Sequence, residues 1–318
     1  MRALITGSNG QDGSYLAELL HSRGWEVHAL DRTAGSDVAT IARHHVGSVD
    51  DVETVDRVVA AADPDCIFNL AGMSSVADSW ADPVAAARIN GVAVVALLHA
   101  ALRQQESTAR RVRFVQASSA EIFGAAERVP QAETTAIRPT SPYGASKAFA
   151  HSSVGVSRSR GLHASSAILF NHESPRRPLK FVTRKITNGV ARIASGEDFT
   201  LSLGNLEAER DWGWAPDYVD ALLRMAEADR PDDYVIATGV SRSVRDFVRT
   251  AFATVGIADW ERHVTTDPSQ LRPVDAPVLR GDAGHARRVL GWSPTVTFEQ
   301  MVERMVHHDL ELIARGDA

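Results

Sequence analysis

Tyr143 and Lys147 stand four residues apart in the stretch SPYGASK. On a helix that spacing puts both side chains on one face, one turn apart. An ammonium beside a phenol favours the phenolate, so Lys147 is expected to lower the pKa of Tyr143. Tyr143 could then take a proton from a substrate hydroxyl near neutral pH. Such pairs arise by chance in many helices, so this one gains weight only from its neighbours. One neighbour is Ser119, at the end of an apolar strand expected over residues 112–117. Another is Glu121 in QASSAEIFG, an acid placed where that strand runs out. A lone glutamate there is ordinarily a solvated loop residue. A chemical role for it has to come from the rest of the chain.

The stretch GSNGQDG carries glycines at Gly7, Gly10 and Gly13, with Asn9, Gln11 and Asp12 between them. It follows the short apolar strand RALIT and opens the helical pattern SYLAELLHSRG. Glycines in that context allow a tight turn and let a pyrophosphate approach backbone N–H groups at a helix N-terminus. The spacing departs from G-x-G-x-x-G, but the strand-turn-helix context is the one dinucleotide binding requires. The second strand, WEVHAL, ends at Asp31 and Arg32. A carboxylate there would accept the adenosine ribose hydroxyls and favour NAD. An arginine there would pair with a 2′-phosphate and favour NADP.

These groups need a frame, and the chain supplies an alternation of strands and helices. After WEVHAL come the helical DVETVDRVVAAA, the strand CIFNLAG, a long helix around VAVVALLHAALRQQ and the strand RVRFVQA. Each parallel crossover needs a helix to return the chain. The expectation is an α/β protein: a Rossmann-type doubly wound parallel sheet with a smaller C-terminal α/β lobe. Residues 1–170 are read as the dinucleotide-binding domain, with later segments at about 211–240 returning to it. Residues 171–318 are read mainly as the lobe that binds the second substrate.

Composition narrows the function classes. The 318 residues carry a formal net charge of −6 and no long basic run, which argues against nucleic acid as a partner. Cys66 is the only cysteine, so no intrachain disulfide or thiolate cluster can form. The first strand begins at Arg2, and no apolar run reads as long enough to span a bilayer, so a cytoplasmic protein without membrane association is expected. His44–His45 and His307–His308 lack an evident third ligand at metal spacing, and no metal is expected. Trp212 and Trp214 in RDWGWAPD are read as packing aromatics rather than a base-stacking platform.

Taken together, TGSNGQDGSYLAELL, SPYGASK, ILFNHESPRR, FVTRKIT, LGNLEAERDWG, DYVIATG and the RP pair at 272–273 resemble the GDP-mannose 4,6-dehydratases. These are extended members of the short-chain dehydrogenase/reductase superfamily, and the similarity runs nearly end to end. The resemblance implies a hydro-lyase acting on GDP-mannose in three steps: oxidation at C4, loss of water across C5 and C6, and hydride return to C6. It assigns Ser119, Glu121, Tyr143 and Lys147 to catalysis, with Glu121 as the C5 base. It implies NADP as cofactor (NAD being the alternative), held from Gly7 to Gly13 and at Asp31 and Arg32. Leu70, Ala71, Met73 and Ser74 would flank the cofactor, with Tyr143, Lys147, His172 and Arg177 completing its pocket. Ser75, Asn171, Thr183, Lys185, Arg210 and Arg272 would meet the nucleotide sugar, the cations facing its diphosphate. A homodimer or homotetramer is implied as well.

The chain departs from the family pattern in places. Ser119 stands where threonine is usual, and Ala120 where serine is usual or related dehydratases carry aspartate. DRTAGSD replaces an Arg-Arg-Ser-Ser-like run, and Ser48 occupies a position that is commonly aspartate. The competing readings are a related nucleotide-sugar 4-reductase or 4-epimerase, which have no use for Glu121, and a noncatalytic dinucleotide-binding regulator.

Overall fold

A computed structural model describes residues 1–33, 40–270 and 278–316. Strands β1 (Arg2–Thr6), β2 (Glu26–Asp31), β3 (Arg43–Val46), β4 (Cys66–Asn69), β5 (Arg113–Ala117) and β6 (His163–Leu169) occupy the first half. With them run helices α1 (Gln11–Ser22), α2 (Val52–Ala62), α3 (Val76–Ala81), α4 (Pro83–Ala87), α5 (Ala93–Thr108) and α6 (Pro142–Ser159). The chain continues through β7 (Asn171–Glu173), α7 (Val182–Ala194), β8 (Leu201–Leu203), β9 (Glu209–Trp214), α8 (Ala215–Glu227) and β10 (Asp233–Ile236). It closes with β11 (Ser241–Ser243), α9 (Val244–Thr254), β12 (Val264–Thr266), β13 (Val278–Leu279), α10 (Gly284–Leu290) and α11 (Phe298–Arg315).

The large sheet has the order β10-β6-β5-β4-β1-β2-β3, with every pair parallel. Both faces are buried, and the side chains alternate between them as a pleat demands. Ile5 and Phe68 join the core under α1 and α8, whereas Leu4 and Ile67 join the core under α2 and α5. The strand order reverses between β1 and β4. In open α/β sheets, the crevice beyond the strand ends at such a reversal is where ligands bind.

One element is new and one expectation needs correction. The stretch ARHHVG, to which the sequence reading assigns no element, carries strand β3 beside β2. Its strand character was hidden by polar residues: His45 is buried there, with its ring stacked on His28 at 5.5 Å. A helical segment long and apolar enough to cross a membrane also exists, at Pro83–Thr108. Ala93, Val94, Leu97 and Leu98 in it belong to the core of the large sheet, so the apolar run is accounted for by packing.

The smaller lobe is built on the strand order β11-β9-β13, with β7 also pairing to β9, and on the separate pair β8-β12. Helices α7, α9 and α11 enclose its core, where Trp212 packs edge-on to Phe247 at 5.3 Å and stacks near Phe298 at 6.1 Å. β9 lies in this smaller sheet, whereas α8 covers the large sheet and β10 forms its edge.

Candidate active site

A cavity of about 510 Å³ opens beyond the carboxyl ends of the large sheet, between the two lobes. Ser119, Glu121, Tyr143 and Lys147 all line it. Their convergence follows from local sequence. Ser141 caps α6 by accepting the N–H of Gly144 at 3.0 Å, and Pro142 takes the first helical position, where its missing N–H costs nothing. This puts Tyr143 in the first turn and Lys147 one turn on. A side chain at Gly144 would come within 2.5 Å of the Glu121 carbonyl, so glycine there lets α6 close on the short turn Ala120–Ile122. Ser119 caps that turn by accepting the Glu121 N–H at 3.2 Å.

The electrostatics differ from the expected lowering of the Tyr143 pKa. Burial pushes Tyr143 up to about 12; the hydrogen bond from Ser119 pulls it down, and the Glu121 charge pushes it further up. Burial likewise depresses Lys147 to about 8, against the Asp12 charge. Its Nζ donates to the Ala117 carbonyl at 2.8 Å and lies 5.8 Å from the centre of the tyrosine ring. Desolvation is therefore the largest influence on Tyr143, and burial drives the two groups away from their charged forms in opposite directions.

The glycine loop forms a cradle that side chains would fill. Gly7 has a left-handed φ of +77°, and a Cβ on it would meet the Ala71 N–H at 2.8 Å. A Cβ on Gly13 would lie 2.2 Å from the Gly7 carbonyl. Gly10 precedes α1 as its cap, so the first-turn N–H groups face the open loop. Across the cleft, Gln11 donates to the His172 carbonyl at 3.1 Å and accepts from Ser174 at 2.8 Å. Asp12 pairs with His172. The motifs GQD and NHES thus tie the two lobes together at the inner end of the cavity.

The remaining predicted positions fall in three groups. Asp12, Leu70, Met73, Ser74, His172 and Arg177, expected at the dinucleotide, line the cavity. Ser75, Asn171, Thr183, Lys185 and Arg210, expected at the nucleotide sugar, line the same cavity. Gly7, Asn9, Gly10, Gln11, Gly13, Asp31, Arg32 and Ala71 are not on its wall; most sit at or under the glycine loop. Asp31 is buried there, accepting from the Ser8 hydroxyl at 2.5 Å and the Asn9 N–H at 3.4 Å, while Arg32 is exposed. Arg272 lies outside the described residues. The cradle, the helix N-terminus and the Tyr143–Lys147 pair suit a dinucleotide lying from Asp31 to Lys147.

Two residues escaped the sequence reading. Asn90 is buried in a π-helical turn, Arg88–Val92, between α4 and α5. Its side chain accepts the Met73 N–H at 2.8 Å and donates to the Met73 carbonyl at 3.0 Å, clamping the loop beside the cofactor cradle. An asparagine and a glycine interrupting an apolar helix were its only signal. Glu173 lies within NHES and is buried at the cavity wall.

The sequence profile of the GDP-mannose 4,6 dehydratase family matches residues 4–305. GDP-mannose 4,6 dehydratase 1 of Arabidopsis thaliana is 42% identical over 98% of this chain and 91% of its own. The GDP-mannose 4,6 dehydratase of Homo sapiens is 40% identical over 98% and 92%. Among solved structures, the UDP-glucose 4-epimerase of Thermus thermophilus in complex with NAD superposes with a TM-score of 0.84. It is 27% identical, over 97% of this chain and 99% of its own.

Proposed function

The chain belongs to the GDP-mannose 4,6-dehydratase family, and we propose from that membership how its own residues convert GDP-mannose to GDP-4-keto-6-deoxy-mannose. The observation that carries the reading is that Glu121 shares one cavity wall with Ser119, Tyr143 and Lys147. Oxidising a hydroxyl needs only the last three, whereas removing a proton from C5 needs an additional base.

When bound, the nicotinamide ring supplies the hydride acceptor for C4 and later the hydride donor for C6. Ser119 holds O4 of the hexose, and Tyr143 takes its proton in the phenolate form, which burial makes costly to reach. The C4 ketone acidifies C5–H, and Glu121 removes that proton. Ala120 offers no acid, so Glu121 passes the proton on to O6, which leaves as water. The proton held by Tyr143 balances the one C5 needs when the sugar is saturated again. Lys185 and Arg210, which line the cavity, are taken as the cations that meet the diphosphate. Residues 171–318 are taken mainly as the nucleotide-sugar lobe, completing the site against the dinucleotide domain.

Of the two nicotinamide dinucleotides, the buried carboxylate of Asp31 supports NAD, because a 2′-phosphate placed beside it would meet like charge. A homodimer is supported by exposed apolar side chains on α5 and α6, where Val95, Phe149 and Val156 are 41%, 52% and 63% exposed. A cytoplasmic setting belongs to the same reading.

The test is incubation of the purified protein with GDP-mannose and no added reductant. The expected product is lighter than the substrate by one water. A product of unchanged mass would mark an epimerase, and turnover only with added reduced cofactor would mark a reductase. Either result overturns the reading.

A further inference from the structure

Glu173 is 1% exposed, and its carboxylate reaches two residues on the cavity wall. Oε2 accepts the Thr183 hydroxyl at 2.6 Å, and the same oxygen lies 3.4 Å from Nε of Arg177. Thr183 is itself 1% exposed, in the first turn of α7. The Arg177 guanidinium lies over the Phe181 ring, 3.8 Å from its centre, which holds it beside the carboxylate.

This arrangement has a chemical consequence. A threonine hydroxyl has one proton to give and two lone pairs to offer. With its proton committed to Glu173, Thr183 presents only lone pairs to the cavity. A phosphate oxygen placed against it would set acceptor against acceptor, so the partner has to be a donor. We propose that Glu173 is a positioning residue that fixes the polarity of Thr183, making Thr183 the acceptor for a hydroxyl of the hexose rather than a contact to the diphosphate.

Two features place the hexose, rather than the base, at this point. Glu173 adjoins His172, which is paired with Asp12 at 2.9 Å, and the charge of Asp12 is felt by both Tyr143 and Lys147, where the sugar must react. The cations suited to the diphosphate reach toward other groups: Lys185 donates to the Gln270 amide oxygen at 2.8 Å, and Arg210 to the Glu209 carbonyl at 2.8 Å. The inference rests on GDP-mannose being the substrate.

The test compares binding of GDP-mannose with binding of GDP, which lacks the hexose, by calorimetry on the full chain. Thr183→Val and Glu173→Ala should each weaken GDP-mannose about tenfold and leave GDP within about twofold. Glu173→Gln, whose amide oxygen can still accept from Thr183, should recover most of the loss and guards against a folding defect in the alanine variant. The double variant Thr183→Val with Glu173→Ala should lose little more than either single change, because one residue acts through the other. Equal losses for GDP and GDP-mannose, or full additivity in the double variant, would overturn the proposal. Absence of GDP-mannose binding by the unaltered protein would instead remove the substrate reading beneath it.

Discussion

Asp12 and His172 stand 2.9 Å apart across the cleft, and the other ring nitrogen of His172 lies 2.7 Å from the Phe170 carbonyl. Both partners can only accept, so both nitrogens donate and the ring is an imidazolium. Burial alone would push the imidazole down, but the charge and hydrogen bond of Asp12, with the Phe170 carbonyl, hold it above its ordinary range. Burial would raise Asp12, and His172 reverses that to a net lowering. The histidine's contribution to stability is full below about pH 6.5 and is lost as pH rises through its raised pKa; the aspartate's is full above about pH 3.9 and is lost as pH falls through its lowered one. Asp12→Asn should cost roughly 3 kcal/mol between those limits, and progressively less above them. Thermal unfolding of both proteins from pH 4 to 9 checks this; parallel curves would remove the pair from the account.

Lys147 makes an opposite kind of contribution. Because burial holds its pKa near 8, the folded state binds fewer protons than the unfolded chain between about pH 8 and 10.4. Keeping it charged costs stability below pH 8, and the cost is relieved as pH rises through that window. Lys147→Met should gain up to about 3 kcal/mol at pH 7 from that relief, less about 1 kcal/mol for the lost bond to Ala117. The gain should vanish near pH 10 while C4 oxidation falls at least about a hundredfold. A lower melting temperature at pH 7 would contradict the burial argument.

How far the sequence disclosed this site depends on the range of the forces involved. The cradle and the Tyr143–Lys147 helix are local patterns, set by glycine sterics and by a turn of α6, and both were legible. Glu121 was legible only through resemblance, because nothing within its stretch says that Gly144 will bring α6 against its carbonyl. β3 was missed because a half-buried strand whose inward-facing residue is a histidine, His45, carries no apolar alternation. The raised pKa of Tyr143 depends on burial by residues far along the chain, and spacing on one helix could not supply it.

Tyr218 is wholly buried, and its hydroxyl finds no hydrogen-bond partner among the described residues. Its ring stacks on His172 at 4.6 Å, so the aromatic face serves the site and the hydroxyl does not. Tyr218→Phe should raise stability by about 1 kcal/mol. Gly213→Ala should act in the opposite sense by about 1–3 kcal/mol, since its Cβ would fall 2.3 Å from the same ring. Melting temperatures that move together would refute this.

At the adenosine end, Asp31 and Arg32 make separable predictions. The unaltered protein should bind NADH at least about tenfold more tightly than NADPH, read by nucleotide fluorescence. Asp31→Asn should narrow that ratio by removing the repulsive charge, while Arg32→Ala should weaken NADPH and leave NADH unchanged. Preferential binding of NADPH by the unaltered protein would reverse the cofactor assignment.

Glu121→Gln separates oxidation from elimination. The amide keeps the size and polarity of the side chain but cannot hold a proton from C5, so C4 oxidation should continue while water loss falls about 10²- to 10⁴-fold. With enzyme and GDP-mannose at equal concentration, mass spectrometry should show a ketohexose lighter than substrate by two hydrogens accumulating in place of the dehydrated product. Because Ser119 accepts the backbone N–H of residue 121 rather than its side chain, the turn that shapes this wall should survive the substitution. Dehydration at the native rate would show that another group takes the C5 proton, and Glu121 would revert to an ordinary residue of the cavity wall.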